Sequence, residues 1–280
     1  MIKIYYHKNC FDGICSAWVA WREFSKHADY IPINYGEPYE SIIENCNRND
    51  DIYFVDFSLP RNLMDLLYSK VNKLVVLDHH KTAETSLKDA SYAIFDMNES
   101  GASLAWKWFF PDLDIPFLVR YIKDRDLWLF KENESRAINA YIQSYEMNIE
   151  IYNYLYLRLE NDIKDARIIG HGILRYMDKL VKDMCNTFIM KDIGGYSVPV
   201  VNASILFSEV GNELCKRNLG LFSAYYFDRN DGKRQWGLRS IGDFDVSEVA
   251  KKYGGGGHKN SAGFIATVAQ LVEATDLKSE

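Results

Sequence analysis

The sequence predicts an α/β protein: a parallel sheet with flanking helices, joined through a long connector helix to a smaller α/β domain. Three observations carry this expectation. Short β-favouring runs, Ile2-Lys3-Ile4-Tyr5-Tyr6, Ile52-Tyr53-Phe54-Val55 and Leu74-Val75-Val76-Leu77, are separated by helical patterns, and such crossovers make strands parallel. Each run is followed at once by imidazole or carboxylate residues, at the edge where open α/β sheets place their chemistry. From Tyr196 the texture changes to closely spaced strands, with a hairpin signal at Asn230-Asp231-Gly232.

A chain of 280 residues is long enough for two cores, and we expect domains at 1–165 and 189–280 with a connector helix over 166–188. No basic segment precedes an apolar one at the N-terminus and no long apolar run occurs, so a cytoplasmic protein without a membrane span is expected. Five scattered cysteines, none in C-x-x-C spacing, argue against a disulfide framework and a structural zinc site. The formal charge is −6, and the acidic excess lies entirely within residues 1–188. That balance speaks against duplex DNA as a partner, because duplex binders carry a broad basic excess.

Taken in order, the first strand (2–6) runs into His7-Lys8-Asn9-Cys10-Phe11-Asp12-Gly13 and a helix over 14–24. A turn-rich segment, Asn34-Tyr35-Gly36-Glu37-Pro38, and a short helix near 40–45 lead to the second strand (52–55), which ends in Asp56-Phe57-Ser58. Pro60 suits the start of the next helix. The third strand (74–77) ends in Asp78-His79-His80, and a fourth follows at 92–96. Ser100-Gly101-Ala102-Ser103 opens an aromatic helix through Trp106, read as core. A helix over 117–122 runs into Asp124-Arg125-Asp126, and residues 134–188 are mostly helical. In the second domain we expect strands at 197–201, 222–227 and 235–240, a helix containing Ser208, Glu209 and Asn212, a helix over 246–253, and a glycine-rich loop, Gly254-Gly255-Gly256-Gly257-His258.

An apolar strand ending in Asp-His-His is poor core material unless it is paired or bound to metal. Any one strand-end aspartate is ordinarily a turn or helix cap, and a glycine run alone is weak evidence for a phosphate loop. The weight lies in joint occurrence. His7, Asp12, Asp56, Asp78, His79 and Asp126 offer oxygen and imidazole donors that suit Mn²⁺ best, with Mg²⁺, Co²⁺ or Zn²⁺ as alternatives. Six ligands exceed the need of one ion, so one or two are expected, with Asp56 suited to bridge a pair.

The order His-x(4)-Asp-Gly, Asp56, Asp78-His79-His80, Asp126 and Gly254-Gly255-Gly256-Gly257-His258 resembles the DHH/DHHA1 phosphoesterase superfamily (RecJ-like) over nearly the whole chain. Arg239-Ser240 and Asp245-Val246-Ser247-Glu248 are most similar to its nano-RNase B branch of oligoribonucleases. The resemblance implies a DHH catalytic domain at 1–165 and a DHHA1 substrate-binding domain at 189–280. It makes His7, Asp12, Asp56, Asp78, His79 and Asp126 metal ligands and Asp78, His79 and His80 catalytic. Arg239, Ser240, Gly256, Gly257 and His258 become substrate-binding, with Arg239 suited to a two-pronged grip on phosphate. Asp124 competes with Asp126 for the fourth motif; Asp126 is preferred because Trp128 follows at the family's spacing. One departure stands out: where the family has Asp-x-Asp, this chain has Cys10-Phe11-Asp12, which lowers affinity for one ion or shifts its identity towards Zn²⁺.

The implied activity is hydrolysis of short oligonucleotides, single-stranded RNA or DNA, by metal-activated water. The same site would serve a pAp phosphatase or a linear or cyclic dinucleotide phosphodiesterase. A reading from another class is a non-catalytic nucleotide sensor whose metals have lapsed, with Cys10 as its support. A homodimer is compatible with each.

Overall fold

The apolar runs of the N-terminal half carry hydrophobic side chains on both faces, so a sheet built from them has to be covered twice. The computed structural model describes residues 1–266, and residues 267–280, where the expected second domain ends, lie outside the described residues. The chain divides into two compact units, Met1–Leu174 and Arg175–Glu280.

In the first unit β1 (Ile2–His7), β2 (Ala28–Ile33), β3 (Asp51–Val55), β4 (Lys73–Asp78) and β5 (Ala93–Phe95) form one sheet in the order β2-β1-β3-β4-β5. Every neighbouring pair is parallel. The helices are α1 (Phe11–Phe24), α2 (Glu40–Glu44), α3 (Arg61–Lys70), α4 (Lys81–Leu87), α5 (Gly101–Phe109), α6 (Phe117–Asp126), α7 (Ser135–Gln143) and α8 (Ile149–Cys185).

Ile4, Tyr53, Val55, Val75 and Leu77 join Trp18 of α1 and Trp106 of α5 in one core. The two indoles stack 6.2 Å apart. Replacing the fully buried Trp18 by alanine would cost roughly 3–5 kcal/mol. Tyr5, Phe54 and Val76 belong to the opposite core, with Met64 and Leu67 of α3. Because the order reverses between β1 and β3, the carboxyl ends of these two strands border a crevice, and β4 ends beside it.

Strand β2 was not expected. It pairs only with β1, along the edge of the sheet, where Pro32 is tolerated and where its mixed burial leaves no clear alternation. Helix α8 is broken at Asp162 (φ −149°, ψ 70°), and the part after the break covers most of the segment expected as the connector. Among the described residues no helix is long and apolar enough to cross a membrane.

The second unit holds a six-stranded sheet of β6 (Ile189–Ile193), β7 (Tyr196–Asn202), β8 (Ser223–Asp228), β9 (Arg234–Arg239), β10 (Gly256–His258) and β11 (Ser261–Ala266), ordered β10-β11-β9-β8-β7-β6. Among the described residues of this unit only β7 and β8 are parallel neighbours. Helices α9 (Phe207–Lys216) and α10 (Val246–Lys251) complete the described part. The hairpin at Asn230-Asp231-Gly232 joins β8 to β9, with Gly232 at φ +76°.

The glycine run corrects an expectation. Gly256, Gly257 and His258 are not an open loop but strand β10, paired antiparallel with β11. The glycines serve backbone packing: Gly257 sits at φ +142°, and a methyl at Gly255 would overlap the carbonyl oxygen of Gly263.

Candidate metal centre

Three neighbouring strands of the first sheet deliver their last residues to one place. β1 ends at His7, and α1 starts four residues later with Asp12 in its first turn. The turn between them is tight enough to require Gly13, since a methyl there would overlap the His7 carbonyl. Asp56 follows β3 in the left-handed region (φ +55°), an unusual conformation for a non-glycine residue and one that recurs at functional sites. Its backbone N–H donates to the Leu77 carbonyl of β4 at 2.9 Å.

Asp12 is held by the N-terminus of α5. Its Oδ2 accepts from the Gly101 N–H at 2.6 Å and its Oδ1 from the Ala102 N–H at 3.1 Å. Ser100 caps the helix in a reciprocal box with Ser103. Gly101 has no substitute here, because a methyl would overlap Cβ of Asp56.

His79 stands at the middle. Its Nε2 lies 3.3 Å from Asp56 Oδ1, 3.4 Å from Asp126 Oδ2 and 3.7 Å from Asp12 Oδ2. On the other side, Asp56 Oδ2 lies 3.5 Å from His7 Nδ1. Asp56 thus faces two imidazoles with two different oxygens. Asp126, the last residue of α6, contributes its carboxylate, whereas Asp124 spends its own on the backbone N–H groups of Lys131 (2.8 Å) and Glu132 (3.1 Å). Asp124 therefore shapes the turn after α6.

Asp78 is fully buried behind the histidines. Its Oδ1 accepts from the backbone N–H groups of His79 (2.7 Å) and His80 (3.1 Å) and meets His80 Nδ1 at 2.6 Å. Asp78 belongs to neither ligand trio of this unit. Those are Asp12, His79 and Asp126, and His7, Asp56 and His80, each with donor atoms within 4.8 Å of one another. Cys10, the N-cap of α1, joins no such group among the described residues.

The electrostatics are those of a crowded anionic pocket. Burial, then the carboxylates of Asp56 and Asp126, push Asp12 well above the usual carboxylate range. Burial also raises Asp126, with Asp56 adding to it against the pull of His79. Asp56 ends well below its ordinary value, because His7, His79 and the charge of His80 outweigh burial. Against burial, Asp56, Asp126 and Asp12 lift His79 to about 10.

These residues fit a divalent cation. Both oxygens of Asp56, Oδ2 of Asp78 and Nδ1 of His7 are buried without a hydrogen-bond partner. Such atoms cost about 1–3 kcal/mol each, and more when charged. Cation ligation would satisfy those of Asp56 and His7, and a set of carboxylates and imidazoles suits Mn²⁺, Mg²⁺, Co²⁺ or Zn²⁺.

In the second unit Arg239 Nη2 donates to Ser208 Oγ and Nη1 to the Leu238 carbonyl, both at 2.9 Å, with its guanidinium 5.4 Å from the Tyr225 ring centre. Arg239 pairs in register with Ser261, and Ser261 with His258, so the three form one row across β9, β11 and β10. Ser240 is buried, its hydroxyl donating to the Phe244 carbonyl at 2.7 Å. Sequence reasoning took 100–103 as a helix start and missed that it cradles Asp12; the signal was a capping serine followed directly by glycine.

A parallel α/β sheet whose strand ends converge on a cluster of carboxylates and imidazoles, followed by a second unit with a mixed sheet, defines a two-domain α/β protein with a candidate metal centre. The DHHA1 domain model matches residues 197–278. An uncharacterized protein of Acanthamoeba polyphaga mimivirus is 30% identical over 283 residues, covering 93% of this chain and 66% of that protein, just under two thirds of its length. Oligoribonuclease NrnB of Bacillus subtilis (strain 168) is 25% identical over 305 residues, covering 95% of this chain and 73% of that one. Among solved structures, exonuclease RecJ bound to manganese is similar in fold, with a TM-score of 0.54, 17% identity, and coverage of 98% of this chain and 88% of that one. Residues 197–278 thus match a DHHA1 domain, and the relative and the fold likeness support a relation to the DHH/DHHA1 phosphoesterase superfamily.

Proposed function

We propose that the protein is a divalent-metal-dependent hydrolase that cleaves phosphodiester bonds in short oligonucleotides. One observation carries this reading: the two buried oxygens of Asp56 lack hydrogen-bond partners and face His7 on one side and His79 on the other. A carboxylate so placed could serve a cation beside each imidazole. Asp12, His79 and Asp126 would hold a cation on one side of it and His7 on the other. Bound there, divalent cations supply a water acidified towards neutrality and charge compensation on the phosphate.

The chain's own residues fix that chemistry in place. Helix α5 sets the Asp12 carboxylate through two N–H groups, and Asp78, its Oδ1 already shared by three donors, serves to orient His80. In the second unit the row of Arg239, Ser261 and His258 would contact substrate phosphate, the guanidinium pre-set by Ser208.

The substrate class rests on the similarity to a protein named oligoribonuclease and on the acidic balance of the chain. Manganese is favoured by the donor set and by the ion in the similar RecJ structure. The test is time-resolved cleavage of 5′-labelled RNA of two to ten nucleotides, beside pAp, cyclic dinucleotides and a duplex, with Mn²⁺ and with EDTA. We expect Mn²⁺-dependent release of mononucleotides, fastest from the shortest strands. Binding of dinucleotide without Mn²⁺-stimulated turnover would overturn the enzyme reading in favour of a sensor.

A further inference from the structure

We infer that His80, and not Cys10, is the third protein ligand of the cation position on the His7 side of Asp56. The inference rests on the metal-dependent reading above and deepens it. The first motif lacks one carboxylate, with Cys10 in its place, so that position needs a donor from elsewhere.

Three observations point to His80. A ring nitrogen of His80, one of His7 and an oxygen of Asp56 lie within 4.8 Å of one another, and Cys10 Sγ enters no such group among the described residues. The rings of His7 and His80 meet edge to face at 5.9 Å between centres, so both reach the same pocket. The third observation is the carboxylate behind the ring.

His80 Nδ1 lies 2.6 Å from Asp78 Oδ1, and Asp78 is fully buried. An ionised carboxylate only accepts, so Nδ1 carries the proton and coordination falls to Nε2. A buried carboxylate that takes the Nδ1 proton of a histidine is the arrangement that fixes ring orientation and raises the basicity of the metal-binding nitrogen. His80 thus has the built-in partner of a ligand.

The experiment is metal binding by the purified full chain. Mn²⁺ is titrated calorimetrically into wild type, His80→Gln, Cys10→Ser and Asp78→Asn, and Co²⁺ spectra are recorded on the wild type. We expect two Mn²⁺ per wild-type chain, one for His80→Gln, two for Cys10→Ser, and about 10–100-fold weaker occupancy of one site in Asp78→Asn. The Co²⁺ protein should show no thiolate-to-cobalt charge-transfer band, a readout that needs no variant to fold. Two ions in His80→Gln, one in Cys10→Ser, or that band in the wild type would each overturn the inference. Wild type binding no divalent cation would instead remove the underlying metal reading.

Discussion

The two sheets present their polar groups in opposite states. At the carboxyl edge of β1, β3 and β4, Asp12, Asp56, Asp78 and His79 are nearly inaccessible, and Asp56 has no hydrogen bond to either oxygen. In the row across β9, β11 and β10, Arg239 has already spent donors on Ser208 and on a backbone carbonyl. The first arrangement is a buried concentration of charge that a cation, as proposed above, would neutralise. The second already has protein partners, and under the proposed function it would exchange one of them for a phosphate oxygen. Removing a residue from the first should abolish turnover, and removing one from the second should weaken substrate binding.

The largest expected effect comes from Asp56. Asp56→Asn keeps the shape but removes the anion between the two imidazoles, and kcat should fall on the order of 10³-fold, the scale of losing one preorganised electrostatic group. Single-turnover cleavage of a labelled dinucleotide at saturating Mn²⁺ measures this. A loss of less than tenfold would mean that Asp56 does not sit between cations.

The pH dependence of metal binding comes next. His79 in the metal-free protein is lifted from its ordinary 6.5 to about 10, so it is charged at neutral pH, whereas a ligand imidazole must be neutral. Metal binding then expels a proton, and apparent affinity should rise roughly tenfold per pH unit, or about 100-fold from pH 6 to 8. The stability of the metal-free chain runs the other way. The contribution of charged His79 is complete below 6.5 and is lost as pH rises through about 10. Calorimetry in buffers of different ionisation enthalpy counts the released proton, and a pH-independent affinity would place His79 outside the ligand set.

Much of the first sheet was legible because its chemistry interrupts apolar runs. Leu74-Val75-Val76-Leu77 followed by Asp78-His79-His80 breaks the expectation for packing, and the same break recurs after Tyr6 and Val55. Edge strand β2 was not legible, since its residues are half-exposed and its register is set only by β1. The glycine run misled for a related reason: local sequence reports freedom of the backbone, but pairing with β11 is a long-range fact. The division of labour between Asp124 and Asp126 was ambiguous too, because which carboxylate meets His79 depends on how the turn after α6 closes on Lys131 and Glu132. The α5 cradle of Asp12 joins residues 89 and 90 positions apart, and the capping serine and glycine mark the helix start without telling which carboxylate it holds.

That cradle gives a third, smaller effect. In Gly101→Ala the new methyl overlaps Asp56 and crowds Asp12 Oδ2, so the start of α5 must withdraw from both carboxylates. Overpacking of this kind costs about 1–3 kcal/mol in stability. Loss of the two N–H bonds orienting Asp12 should weaken Mn²⁺ binding about 10–100-fold. Ala102→Gly, on the same turn but without the new methyl, should bind Mn²⁺ nearly as wild type. Equal metal affinity in Gly101→Ala and wild type would show that Asp12 needs no support from α5.

The smallest effect sharpens the comparison most, because it tests the second sheet alone. Arg239 holds Ser208 with one nitrogen and the Leu238 carbonyl with another, a fork that an ammonium group cannot reproduce. Arg239→Lys should raise KM for a dinucleotide about tenfold, the lower edge of the range for one charge-assisted hydrogen bond, while kcat and Mn²⁺ affinity stay within twofold of wild type. Ser208→Ala should act in the same direction but more weakly, since it removes the partner that presets the fork and not the fork itself. If Arg239→Lys instead lowered kcat with KM unchanged, the arginine would act on the transition state, and the two sheets would not divide binding from chemistry.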